Sequence, residues 1–293
     1  MRFGLAGTGY WAQVAHARAL AATDGADLVA VWGRNSERTA ALAGRHDAAA
    51  HSDFDAFLGD VDAIAFSLPP DVQSELAVRA AAAGKHLLLE KPLALSAAAA
   101  NAVAVAVDAA RVASVVFFTA RFQADIRVWL AEVAQSTWSG GQALWLGSAQ
   151  ADTSPFNTPW RQREGGLWDL GPHVLSVLTP ALGPVVSVLA DGGPGDVAHL
   201  ILRHGGGATS TATVTLQAPP GLDGFDLALW GRSGRSAMPP LADDPAPALG
   251  TAVADLIAAV TSGDRTHPCD VHFGAAVVGL LEDAQRQLAA RRT

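Results

Sequence analysis

What most constrains this chain is a regular alternation, across its first 120 residues, of short apolar runs with alanine-rich helical segments. Phe3 to Ala6, Leu28 to Trp32, Ala63 to Leu68, His86 to Leu89 and Val112 to Phe118 read as buried strands. Between them, Ala12 to Ala22, Ser36 to Ala43, Val72 to Ala83 and Ser96 to Ala110 read as helices. Gly84 is placed to stop the third helix and Ser96 to cap the fourth. Strand and helix alternating at this spacing predict βαβ units and a parallel sheet.

The pattern changes after Arg121. Gln142 to Gln150, Val185 to Ala190, Ala198 to Arg203, Ala208 to Gln217 and Phe225 to Trp230 read as strands joined by glycine and proline turns. The alternation of small and hydroxyl residues from Ala208 to Leu216 suits an antiparallel sheet with one covered face. Pro239 to Pro247 reads as an exposed loop, and helices are expected near Gly250 to Thr261 and Phe273 to Ala290. The expected fold is therefore α/β, with a parallel-sheet domain over 1–120 and an α/β domain with a mostly antiparallel sheet over 121–293.

Composition excludes several alternatives. Of 293 residues, 50% are hydrophobic and 16% charged, too apolar for a disordered chain. A net charge of −8 argues against a nucleic-acid binder, which would carry a basic stripe. The single cysteine, Cys269, rules out an internal disulfide, and the reading is a reducing, cytoplasmic compartment. No apolar run approaches the ~20 residues of a membrane span, and the first residues lack a signal peptide's continuous apolar core. The histidines show no metal-ligand spacing, so no metal is expected.

Three clusters carry chemistry. Gly7-Thr8-Gly9-Tyr10-Trp11-Ala12 matches the dinucleotide fingerprint and sits where it must, after the first strand and at the opening of the first helix. The first glycine makes the turn, the second admits a pyrophosphate, and the helix N-terminus faces the phosphate charge. At the tip of the second strand, Gly33-Arg34-Asn35-Ser36 holds no acid for the ribose hydroxyls. Arg34 and Ser36, with Arg38, suit a 2′-phosphate, which favours NADP over NAD. The alternative makes Arg34 a solvated turn residue and gives the ribose to Glu37.

Glu90-Lys91-Pro92 directly follows a buried strand, at the carboxyl edge where open α/β sheets bind ligands. Lys91 is one of only two lysines, with Lys85. A lysine there can hold a substrate hydroxyl and stabilise its alkoxide; a surface ion pair is the plainer reading. The third cluster is Trp160-Arg161 followed by Gly165 to His173. Gly165-Gly166 reads as a loop, and Pro172 requires a helix to begin close to Asp169. Asp169 and His173, four apart, would then share a face, as base and orienter. The plainer reading is an N-cap and a core histidine.

Taken in order, these clusters resemble the Gfo/Idh/MocA family of NAD(P)-dependent oxidoreductases, over essentially the whole length. Ser67-Leu68-Pro69-Pro70 adds a further matching motif. The resemblance implies a Rossmann domain followed by an open antiparallel sheet that often forms an oligomer contact, hence a homodimer or homotetramer. It implies Lys91, Asp169 and His173 as the catalytic set, acting in hydride transfer to or from a sugar, cyclitol or other small polyol or carbonyl compound. Ser67, Leu68, Pro69, Gln73, Glu90, Lys91 and Arg161 join the glycine loop on the cofactor side, and Arg121, Trp160 and Trp168 join the catalytic residues on the substrate side. The third-strand motif often continues into a histidine, where Gln73 stands here. Trp160 and Trp168 suit either ring stacking or apolar packing. Arg121 suits a pocket or a hinge ion pair. Two other functions fit the same scaffold: a non-catalytic NAD(P) sensor, and a glycosidase that uses tightly held NAD.

Overall fold

The structure is a computed structural model that describes residues 1–219, 221–232 and 234–291. The chain opens with β1 (Arg2–Ala6), then a π-helical turn, Ala12–His16, that continues as α1 (Ala17–Ala22). It goes on through β2 (Asp27–Trp32), α2 (Ser36–Gly44), β3 (Ala49–His51), α3 (Phe54–Asp60) and β4 (Ala63–Phe66). Next come α4 (Pro70–Ala82), β5 (His86–Glu90), α5 (Ala97–Ala110), β6 (Ser114–Phe117) and a short α6 (Thr119–Phe122). The six strands are all parallel, in the order β3-β2-β1-β4-β5-β6. This is the doubly wound dinucleotide-fold order, whose direction of winding reverses between β1 and β4. β4 and β6 are buried at every residue, as strands covered on both faces must be. Ser96 caps α5 by accepting from Ala99 N at 3.2 Å, and Gly84, at φ 76°, closes α4.

The chain continues through α7 (Ala124–Val133), β7 (Trp138–Leu146) and α8 (Pro159–Leu182). Then follow β8 (Val185–Gly192), β9 (Ala198–His204), β10 (Thr209–Thr215), β11 (Gly224–Gly231), β12 (Gly234–Ala237), α9 (Ala246–Ser262) and α10 (Val271–Arg291). The second sheet has the order β12-β11-β7-β10-β9-β8, with β7 and β10 parallel and every other neighbouring pair antiparallel. α8 covers its inner face. A side chain at Gly141 would meet Leu178 and Leu182 of α8 at 3.2 Å, so the glycine lets helix and strand close up.

Two compact units result: residues 1–122 with 243–276, and residues 123–242 with 277 onward. The sequence-based division at residue 120 assigns 243–276 to the second domain, whereas they pack with the first unit. The reason is α9, whose Leu249, Val253 and Leu256 are fully buried against α1, β5 and β6. The expected loop at Pro239–Pro247 also ends early, because Pro247 fits the first turn of α9.

Helix α8 differs from expectation as well. It is two helical segments joined at Gly165 (φ 67°, ψ −165°), so the second segment begins at Gly166, not near Asp169. Asp169 is therefore not an N-cap. Pro172 lies inside the helix and forfeits one backbone bond, a loss outweighed by the burial of every residue from Gly165 to Leu178.

Candidate active site

In the first unit, the fingerprint loop leaves β1 at the reversal point of the sheet. Gly7 has φ 125°, and a Cβ there would lie 2.2 Å from the Ser67 carbonyl oxygen. Only glycine fits. The turn is pinned by Gly7 N donating to Trp32 O at 2.9 Å and Ser67 N donating to Ala6 O at 2.8 Å. Gly9 has open space where a Cβ would stand, and Gly9 and Tyr10 are exposed while Thr8 and Trp11 are half-buried. The loops after β1 and β4 thus face each other at the position where this strand order binds a dinucleotide. Ser67, Leu68 and Pro69 are half-buried there.

At the tip of β2, Arg34, Asn35, Ser36, Glu37 and Arg38 are all exposed. Asn35 caps α2 by accepting from Arg38 N at 2.9 Å, which sets Ser36 in the first helical turn. Gly33 is required for packing: a Cβ would press Thr39 Oγ1 at 2.7 Å and Thr8 Cγ2 at 2.8 Å. The room that glycine leaves is therefore filled by two threonines.

The end of β5 holds an arrangement that sequence reading missed. Glu90 Oε1 accepts from Trp11 Nε1 at 2.6 Å and contacts His16 Nε2 at 2.8 Å. Trp11 and His16 are five apart, a spacing that a regular α-helix would not align. The π-helical turn between them does, because it widens the helix by one residue per turn. Gln73 is fully buried, and its amide grips the Glu90 backbone from the other side. Its Oε1 accepts from Glu90 N at 2.8 Å and its Nε2 donates to Glu90 O at 2.8 Å, with the Pro92 and Leu93 carbonyls within 3.4 Å. Lys91, half-buried, follows directly. Arg121, in α6, sets its guanidinium 5.9 Å from the centroid of the Phe273 ring.

In the second unit, Asp169 and His173 lie one turn apart on α8, both buried. Arg161 Nε donates to Asp169 Oδ2 at 2.9 Å, and its guanidinium lies 4.6 Å from the Trp160 ring. Arg161 was expected on the cofactor side; its Nε is committed to Asp169. Trp160 and Trp168 are both buried, at 8% and 3% exposed, as Asp169 and His173 are. His173 has an aromatic neighbour on the facing sheet. Trp145 on β7 lies 5.1 Å from the imidazole and stacks on Phe225 of β11 at 4.2 Å. The start of the segment is fixed by Asp196, which accepts from Gly166 N at 2.8 Å, from Leu216 N at 2.9 Å and from the Thr215 hydroxyl. Lys91 belongs to the first unit, and Asp169 and His173 to the second.

Comparison with known proteins agrees with this geometry. Residues 1–118 match the family described as the oxidoreductase family with an NAD-binding Rossmann fold. Over those residues the chain is similar to the Gfo/Idh/MocA oxidoreductases. Inositol 2-dehydrogenase of Rhizobium meliloti strain 1021 is 27% identical over 238 residues, which are 76% of this chain and 71% of that protein. The uncharacterized oxidoreductase ORF334 of Rhizobium meliloti is 36% identical over 98 residues, 32% of this chain and only 29% of that protein's length. Levoglucosan dehydrogenase, solved with NADH and levoglucosan, shares the fold at a TM-score of 0.85 with 18% identity, covering 100% of this chain and 98% of that one. Among the described residues no helix is long and apolar enough to cross a membrane, and no group of ligating side chains suits a metal.

Proposed function

We propose that this chain is an oxidoreductase, preferring NADP, that moves hydride between the nicotinamide cofactor and a sugar, cyclitol or other small polyol or carbonyl substrate. The observation that carries the reading is Gly7, whose missing side chain lets the fingerprint loop turn against the Ser67 carbonyl at the reversal point of the sheet. The loop from Gly7 to Ala12 would take the pyrophosphate, and Ser67 to Pro69 would line the nicotinamide side. Arg34, with Ser36 and Arg38, is exposed at the tip of β2 and would take the 2′-phosphate. When bound, the cofactor supplies the hydride acceptor or donor.

The residues of the chain supply the rest. His173 takes the proton of the substrate hydroxyl, as a general base. Lys91 holds that oxygen and stabilises its developing charge. Asp169, fixed by Arg161, orients His173 or accepts from a neighbouring hydroxyl. The inositol and levoglucosan dehydrogenases among the relatives support a ring polyol as substrate class.

The test is a titration of cofactor-stripped protein with NADPH and NADH, following nicotinamide fluorescence. NADPH is expected to bind about tenfold more tightly, and Arg34→Ala to erase the difference, since about 1.4 kcal/mol of charge-assisted bonding is at stake. Equal or tighter binding of NADH overturns the NADP preference. Binding of neither overturns the dinucleotide reading. Polyol oxidation is then screened with the preferred cofactor.

The same reading includes a homodimer or homotetramer through the outer face of the second sheet. Leu189 and Ile201 are register partners on that face, and Trp230 lies over Gly140 on it; all three are exposed. An apolar face of this kind is commonly covered by a partner. Sedimentation of the wild type and of Ile201→Lys tests it: an oligomer that the lysine dissociates is expected, and a wild-type monomer overturns it.

A further inference from the structure

We propose that Glu90 is a positioning residue that ties the glycine loop to Lys91, so that a dinucleotide held by the loop sets where the Lys91 ammonium sits. The inference rests on the dinucleotide reading above.

Glu90 is gripped through both its backbone and its side chain. Its backbone N–H and carbonyl are both satisfied by one buried side chain, Gln73. Its Oε1 carries two contacts, from Trp11 Nε1 in the fingerprint at 2.6 Å and from His16 Nε2 in the π-helical turn that follows at 2.8 Å. The His16 ring is fully buried, and its Nδ1 has no hydrogen-bond partner among the described residues. A proton on Nδ1 would be orphaned there, so the proton belongs on Nε2, which donates to Glu90. Two donors converging on one oxygen is the arrangement of an ionised, acceptor-only carboxylate.

Strand stability alone gives no reason for this device. A nearly buried carboxylate held by an indole and an imidazole costs desolvation that an apolar pair of the same shape would avoid. Nor does helix stability explain it, since the π-helical turn that aligns Trp11 with His16 interrupts the regular bonding of α1. Such turns recur at functional sites. What the device achieves is connection. Trp11 lies inside the fingerprint, Glu90 immediately precedes Lys91, and one hydrogen bond joins them. A dinucleotide that orders the loop orders Trp11, and through Glu90 it orders the chain at Lys91.

The lysine content makes this measurable. The chain has two lysines, and Lys85 Nζ is tied to Val61 O at 2.9 Å. Reductive methylation with ¹³C-formaldehyde labels the two lysines and the N-terminal amine, and Lys85→Arg and Lys91→Arg assign the signals. NADH and NADPH are the probes, with their binding followed in parallel by fluorescence. In the wild type the Lys91 methyl signal is expected to shift on binding and the Lys85 signal to stay. In Trp11→Phe, which keeps the ring and removes the N–H, the Lys91 shift at saturation should fall by about half or more, as for a broken member of a coupled network. His16→Leu should do the same, and His16→Gln, which keeps a donor, should restore it. If the buried leucine variant does not fold, Trp11→Phe carries the test alone. A full Lys91 shift in Trp11→Phe with cofactor bound, or no shift in the wild type with cofactor bound, overturns the proposal while leaving the dinucleotide reading intact. Failure of the wild type to bind either cofactor overturns both.

Discussion

Arg161 Nε donates to Asp169 Oδ2 at 2.9 Å, across the bend that Gly165 introduces between the two helical segments of α8. The carboxylate side chain is 7% exposed and the guanidinium 17%, so the pair is shielded from solvent. Arg161→Met takes the guanidinium away from a buried carboxylate. It should cost about 3 kcal/mol in urea unfolding, and Asp169→Asn in the same background should recover much of that. Equal stability of Arg161→Met and wild type would show the pair to be incidental.

Gly7 and Gly9 should separate stability from binding. Gly7→Ala must place a methyl group 2.2 Å from the Ser67 carbonyl at φ 125°. It should lose about 2–4 kcal/mol of stability together with dinucleotide affinity. Gly9→Ala meets nothing within 4 Å. It should melt within a few degrees of wild type, yet bind NADPH about tenfold more weakly if the pyrophosphate approaches there. Thermal melts and fluorescence titrations of both variants decide it.

Gln73 is expected to be structural in effect and hard to replace. Gln73→Leu keeps the volume but leaves the Glu90 N–H and carbonyl without their partner. A loss of about 2 kcal/mol follows from buried polar groups left unsatisfied. Gln73→Glu should be worse, because its second oxygen would face the carbonyls of Glu90, Pro92 and Leu93. Urea midpoints of the two variants rank them.

Two histidines predict acid sensitivity. Burial pushes His204 below the ordinary histidine range, and its Nε2 and Nδ1 are both engaged, with the Ser210 hydroxyl and the Gly183 carbonyl. Burial, then the Arg265 charge, pushes His86 down too, and its Nδ1 accepts from Ala113 N, which a protonated ring cannot do. Below an unfolded value of about 6.5 the unfolded chain binds more protons, so this stability is complete above that pH and lost as pH falls through it. The urea midpoint should therefore drop between pH 7.5 and 5.5, less steeply in His204→Gln. A flat profile would contradict this.

Much of this was legible in the sequence, for identifiable reasons. The strands β1, β4, β5 and β6 are buried on both faces, so they read as unbroken apolar runs. Asp169 and His173 share a helix face because their spacing is helical. The node at Glu90 was not legible. Counting by helical turns pairs Trp11 with Ala15, and His16 then looks like an isolated histidine; a π-helical turn leaves no mark in composition. The Arg161 pairing depends on a glycine bend rather than on periodicity. The strands β3 and β12 are too short to announce themselves. Phe225 stacks on Trp145, the ring beside His173, because β7 and β11 pair with Trp145 and Phe225 in register.

The return of α9 to the first unit has a consequence for how the molecule is made. Its buried Leu249, Val253 and Leu256 complete the surroundings of β5 and β6, yet they are translated long after those strands. A nascent chain paused after residue 122 holds six finished strands' worth of sequence and an uncovered apolar surface. Domains commonly fold in order as they leave the ribosome, at roughly 5–20 residues per second. Here the first unit, though begun first, cannot close until α9 has been made, so at that rate its apolar surface stays uncovered for at least several seconds.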